Sequence, residues 1–372
     1  MKKYLIILIC LFIIGCGNNS KKNVFDKVNK KSSNLDSYNI KGELSMYNGD
    51  TKYTYDVDVK YKKESFYRVS LVNKVNNHEQ IILRNNDSVY VLTPSLNKSF
   101  KFQSDWPYNN SQVYILERIV NDIKNDEEKK YEHIDDMHMF KTKVVYSTNN
   151  DLTYQKVYFD NEYKMKKVEV YNKKDEKAIE FIVNSFEENC DIDNNIFELK
   201  NNIDISVSEK NNENKKSNSN VNSNTSNDSN SNINSSSNQN VSKDDNNTAD
   251  SENTENVSKT VEDVVYPMYL PENTYLTKQD RVSKDDGERV IMTFGGDKSF
   301  TLIEETVSAS KDLDLDVTYG EPGIIIDTIG SIDDTNINWV SNNIEYSVIS
   351  NDLDRDELIT VAKSISSKSI TK

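Results

Sequence analysis

The sequence predicts a mainly β, α+β protein made of two folded units, residues 16–200 and 261–372, joined by an unstructured tether over 201–260. Three observations predict it. From Tyr38 to Phe186, apolar and polar residues alternate with period two in one segment after another, the pattern of strands with one face on a core and one in water. Residues 211–250 hold 15 Asn and 10 Ser, with Val221, Ile233 and Val241 as their clear hydrophobes. A stretch of that composition cannot offset the entropy of ordering its backbone. Beyond it, strand-like runs resume and close on one amphipathic helix carrying Leu358, Val361, Ala362 and Ile365.

The chain opens on a short basic start, Lys2-Lys3, and an apolar run from Leu5 to Ile14 that is too brief for a lasting membrane span. Ile13-Ile14-Gly15-Cys16 follows. This resembles the lipobox of bacterial lipoproteins, in which a small residue precedes the cysteine. The resemblance implies a signal peptide over residues 1–15 and a lipid thioether on Cys16 as the first mature residue. It places the protein outside the cytoplasm, anchored to a bacterial cell or forespore membrane. Cys10 leaves with such a leader, so Cys190 alone stays free. No intrachain disulfide is then available, and packed cores must supply the stability. Burial near a strand end as a small hydrophobe is the expected lot of Cys190.

After Cys16, Val24, Phe25, Val28 and Leu35 recur near the helical period, predicting one short helix over 21–35 close to the anchor. Strands are then expected at 38–46, 53–61, 66–72, 79–84, 88–92, 99–102, 140–147, 152–159, 165–171 and 178–186. Asn48-Gly49-Asp50 reads as a hairpin turn. One segment breaks the pattern: after Trp106-Pro107, Asn110 or Ser111 could cap a helix with Val113, Leu116, Val120 and Ile123 on one face. A lone helix among strands covers the open side of a sheet, and a sheet curved around helices can hold an apolar cavity.

A tether of forty such residues has an r.m.s. reach of about 35 Å, leaving the second unit free to search a volume larger than itself. In that unit, 266–271 should be extended around its two prolines. Strands are expected at 289–294, 300–304, 323–328, 335–340 and 344–349, with a turn at Gly295-Gly296-Asp297. Asp354 and Glu357 form a capping box, with Leu353 and Leu358 as its staple.

Charge and motifs narrow the function. Residues 21–200 carry 29 basic and 30 acidic side chains; residues 261–372 carry 10 and 22. The second unit should therefore repel nucleic acid and anionic headgroups. His133 and His138 lie beside Asp135 and Asp136, but without the spacing a zinc site uses, and a strand surface is the expectation. Asp312, Asp314 and Asp316 lack the glycine and closing glutamate of a calcium loop, and alternate as a strand with an acidic outer face. Nucleophile elbow, phosphate loop and marked carboxylate pair are all missing, so neither an enzyme nor a cofactor is expected. The stronger candidate is an aromatic cluster of Phe100, Phe102, Trp106, Tyr108 and Tyr114 at a strand-to-helix junction. Two readings stand: a ligand mouth or partner surface, or the anchor that fastens the helix over the sheet.

These residues also carry a resemblance. The run from Phe100 to Tyr114, with Lys156-Val-Tyr-Phe-Asp160 and Lys167-Val-Glu-Val-Tyr171, is similar to clostridial germination lipoproteins of the GerS type within the lipoprotein-carrier (LolA-like) superfamily. Over 16–200 it implies an incomplete antiparallel β-barrel packed around helices and enclosing an apolar cavity. It further implies a non-enzymatic partner of a cell-wall N-acetylmuramoyl-L-alanine amidase in germination. Two alternatives are a carrier of lipids or lipoproteins and an envelope-stress regulator acting through a membrane partner. The short germination proteins end near the tether, whereas this chain adds a second unit.

Overall fold

The computed structural model describes residues 16–48, 51–203, 260–309 and 313–365. The leader, the turn at Gly49-Asp50, most of the tether and Asp312 lie outside the described residues. Helix α1 (Cys16–Ser33) leads into a meander of eleven strands. These are β1 (Ser37–Asn48), β2 (Thr51–Lys62), β3 (Phe66–Asn73), β4 (Glu79–Arg84), β5 (Val89–Thr93) and β6 (Lys98–Phe102), then β7 (Lys130–Ile134), β8 (Met137–Lys143), β9 (Leu152–Phe159), β10 (Met165–Asn172) and β11 (Lys177–Glu188). Helix α2 (Leu116–Asn125) lies between β6 and β7. Neighbours pair antiparallel in the order β6-β5-β4-β3-β2-β1-β11-β10-β9-β8-β7, and the sheet stays open. At a bulge in β1, a side chain on Gly42 would sit 2.3 Å from the Ile182 carbonyl, so only glycine lets β1 and β11 approach there.

One apolar cluster joins Val24 and Val28 of α1 and Ile119 and Ile123 of α2 to inward residues of the sheet, among them Leu44, Val57, Phe140 and Phe181. Strand β5 is buried along its whole length because both faces are covered. Its outer face, with Ile81 and Leu83 of β4, meets Ile192, Phe197 and the partly buried Cys190.

The second unit is a seven-stranded antiparallel sheet in the order β12-β13-β14-β19-β18-β17-β16. Its strands are β12 (Thr274–Lys284), β13 (Gly287–Gly296), β14 (Phe300–Thr306), β16 (Glu321–Ile325), β17 (Thr328–Ile332), β18 (Asn336–Ser341) and β19 (Ile344–Ile349). Helix α3 (Arg355–Ser364) packs on β18 and β19. Asp354 caps it, accepting the Glu357 N–H at 2.9 Å, and Leu353 and Leu358 share one core. The Glu357 carboxylate turns to Lys298 instead of closing the box on the cap residue.

Other expectations are corrected as well. Neither Asn110 nor Ser111 caps α2, which starts at Leu116 without a side-chain cap. Both are engaged elsewhere: Asn110 Oδ1 accepts the Ser147 N–H at 2.8 Å, and Ser111 exchanges bonds with Val145 at 2.7 and 2.9 Å. The run expected as one strand over 323–328 holds the end of β16, a turn at Ile326-Asp327 and the start of β17.

Nor is the second unit left loose on its tether. Strand β15 (Asp314–Thr318) crosses to the first sheet and pairs in parallel with β6, making a twelfth strand. Lys98, buried on β6, binds Asp314, Asp316 and Glu345 at 3.0, 2.9 and 3.2 Å. The amide of Gln80 grips β17 through the Ile329 backbone at 2.7 and 2.9 Å. Glu321 accepts from Asn109, Asn110 and Ser147.

Glu304 takes an inward position of β14 where period two calls for a hydrophobe, and it is fully buried. One carboxylate oxygen accepts the Val265 N–H at 2.9 Å and so holds the segment before β12; the other has no partner among the described residues. Burial pushes its pKa up to about 7. The folded chain thus prefers the protonated acid. Stability is full below about pH 4.5 and declines as pH rises through 7, by on the order of 3 kcal/mol. Glu304→Gln should flatten that decline, as read from urea midpoints between pH 5 and 8.

Candidate functional site

A partly enclosed cavity of about 400 Å³ lies where the two units meet, within the usual size range of small-molecule sites, ~300–1,000 Å³. The first unit supplies Met46 and Ile179 from the inner face of β1 and β11, Leu152 from β9, Ile82 from β4, and Trp106 and Tyr114 from the connection before α2. The second supplies Ile324, Ile326 and Ile329 from the β16–β17 hairpin, with Thr360, Lys363 and Ser364 from α3. Ile324 and Ile329 pack against the first unit's core, so the wall exists only with the units docked.

Two features stand out. Ile326 has φ +57°, a region that β-branched residues avoid. Such strain costs on the order of 1–3 kcal/mol and concentrates at functional sites. Lys363 is the single formally charged residue among those lining the cavity. Its ammonium has one hydrogen bond among the described residues, donated to the Thr148 carbonyl at 3.2 Å. Burial without a carboxylate partner lowers its pKa to about 8.

The structure divides the aromatic cluster. Trp106 and Tyr114 are buried and line the cavity. Phe100 and Phe102 are buried in the first core, away from that wall. Only Tyr108 is exposed; its ring lies under Arg84 and its hydroxyl meets Ser65 at 2.5 Å. A partner surface made of all five is therefore not what the fold presents. Cys16 is the first residue of α1. His133 and His138 face each other across the β7–β8 hairpin, and Tyr131 bonds His138 at 2.9 Å. Asp314 and Asp316, the expected acidic face, are the ligands of Lys98. Lys363 escaped the sequence reading because a lysine in a helix's last turn normally serves the helix dipole.

Residues 1–197 match the family model described as "Sporulation protein YdcC-like". Over 364 residues the chain is 31% identical to "Sporulation protein YdcC" of Bacillus subtilis (strain 168), covering 98% of this chain and 95% of that protein. The chain belongs to the YdcC-like sporulation protein family. The match to that relative spans both units, whereas the family model covers the first, and kinship is with the YdcC-like proteins rather than specifically with the GerS type. Among solved structures, the Pseudomonas aeruginosa MucA/MucB complex resembles 91% of this chain and 98% of that one at 8% identity and a TM-score of 0.31. The complex of the Clostridioides difficile CwlD amidase with the GerS lipoprotein resembles 46% of this chain and 94% of that one at 16% identity and a TM-score of 0.25. Both are too distant to say anything about what this chain binds.

Proposed function

We propose that this YdcC-like protein is a non-catalytic carrier or sensor that receives an apolar or amphipathic ligand between its two units. It works at the outer face of a membrane, held there by lipid on Cys16. The observation that carries this reading is the apolar cavity, whose wall is shared by both units. Because docking builds half the wall, an occupant changes the balance between docked and separated units, and so can be sensed as well as carried. Family membership supports the sporulation setting and the absence of catalysis. Partnership with a cell-wall amidase, implied by the first unit's resemblance, needs a docking face, and only Tyr108 of the five aromatics is available for one.

Native mass spectrometry of the protein purified from its own membrane tests this. The expected mass is that of a chain beginning at a lipid-bearing Cys16, with a non-covalent apolar ligand that leaves on denaturation. Ala178 lines the cavity and is partly buried. Ala178→Phe should weaken a neutral naphthylamine probe about tenfold, equivalent to roughly 55 Å² of lost apolar contact. An unmodified or retained leader would overturn the anchor; no saturable probe binding in the wild type would overturn the cavity reading.

A further inference from the structure

We infer that the cavity selects single-chain amphiphiles with an anionic head, and that the Lys363 ammonium is the group that holds that head. The inference rests on the cavity reading above and adds ligand class and a specificity residue to it.

Cations buried elsewhere among the described residues have acids beside them. Lys98 is surrounded by Asp314, Asp316 and Glu345. Arg68 has Glu79 at 3.6 Å and Asn202 at 2.6 Å. Lys363, part-buried, has only the Thr148 carbonyl among the described residues, although an ammonium can donate three hydrogen bonds. Taking a cation out of water without an opposite charge is costly, and evolution's usual remedy is a carboxylate nearby. Acids do occur on the flanking elements, but they face other partners. Glu321 on β16 is held by Arg355, Asn110 and Ser147. On α3, Asp356 binds Asn150 and Glu357 binds Lys298. The remaining titratable groups on the cavity wall are tyrosines 47, 53, 114, 146 and 269. Burial holds Tyr53, Tyr114 and Tyr146 above the ordinary phenol range. The wall is thus apolar on one side with one under-paired positive charge on another, the complement of a hydrocarbon chain ending in an anion.

The surroundings of Lys363 fit such a ligand. Tyr269 lines the cavity, and the Met268 N–H donates to the Ser364 carbonyl at 3.2 Å, which places the 266–270 segment beside the lysine. Tyr266, Met268 and Leu270 on that segment are exposed. These side chains put exposed apolar surface on the segment that meets the end of α3.

The test uses the full mature protein and lysolipids of one chain length below their micelle concentration. Lysophosphatidylglycerol is anionic, lysophosphatidylcholine zwitterionic, monoacylglycerol neutral, and glycerol phosphate supplies the head without the chain. Lysophosphatidylglycerol should bind about tenfold tighter than monoacylglycerol, the effect of one charge-assisted bond. Lys363→Met should erase that preference while leaving monoacylglycerol binding intact, which also shows the variant is folded; Lys363→Arg should keep it. The preference should hold below about pH 8 and fall as pH rises, because the unliganded amine then loses its proton. Equal binding of all three lipids, or a preference surviving Lys363→Met, overturns the assignment to Lys363 and leaves the cavity reading standing. Tight binding of glycerol phosphate alone makes the site an anion site and overturns the amphiphile. Failure of every chain-bearing probe overturns both.

Discussion

Trp106→Ala should lower the stability of the protein by about 3–5 kcal/mol, read as a shift in the urea midpoint at constant slope. Trp106 is 1% exposed, meets Tyr67 edge-on with ring centroids 6.0 Å apart, and its carbonyl accepts from Arg84. Removing the indole enlarges an existing cavity, so the surroundings have little to collapse onto, and the upper part of that range applies. The consequence for function is practical. A Trp106 variant that loses a partner does so because the fold is weakened, so it says nothing about an interface. Tyr108, 42% exposed, is the clean probe of that surface, and its truncation should change stability by no more than about 0.5 kcal/mol.

The second large effect is expected from Lys98→Met. Burial works against the ammonium, yet Glu345, Asp316 and Asp314 outweigh it and hold the amine above its ordinary range. Its contribution is therefore full below about pH 10.5 and is lost only when pH rises past the folded value. Asp314 and Asp316 keep roughly half their exposure and can turn to water, but Glu345 is 21% exposed and cannot. Burial already raises the Glu345 pKa, with Lys98 pulling it back. Losing Lys98 strands that carboxylate, at a cost of about 3–5 kcal/mol. Hydrogen exchange should locate the damage in the amides of 314–318, where β15 leaves β6. A second change, Glu345→Leu, should recover part of the loss; if it recovers none, the Lys98 cluster is not what holds β15.

How much could be read from the residues alone follows from which contacts are local. Strands β1, β2 and β11 are written in period-two alternation, and Asn48-Gly49-Asp50 announces the first turn. Strand β12 was missed because it is an exposed edge, with Lys278, Asp280 and Arg281 where a core face would carry hydrophobes. β17 was missed because Ile326-Asp327 is not a turn pair by composition. The acidic alternation around Asp314 and Asp316 did announce a strand, but nothing local said that it would pair with Lys98 more than two hundred residues earlier. The cavity was hidden for the same reason. Trp106 and Tyr114 drew attention as aromatics, whereas Ile329 and Lys363 acquire their meaning only when docking brings them to that wall.

Helix α1 opens at Cys16 and is already locked into the first core at Val24, eight residues on. At 1.5 Å per residue that is about 12 Å of stiff rod. With the lipid proposed for Cys16, the mooring is rigid and short. The body cannot roam toward the wall, and whatever it handles must arrive along the same leaflet.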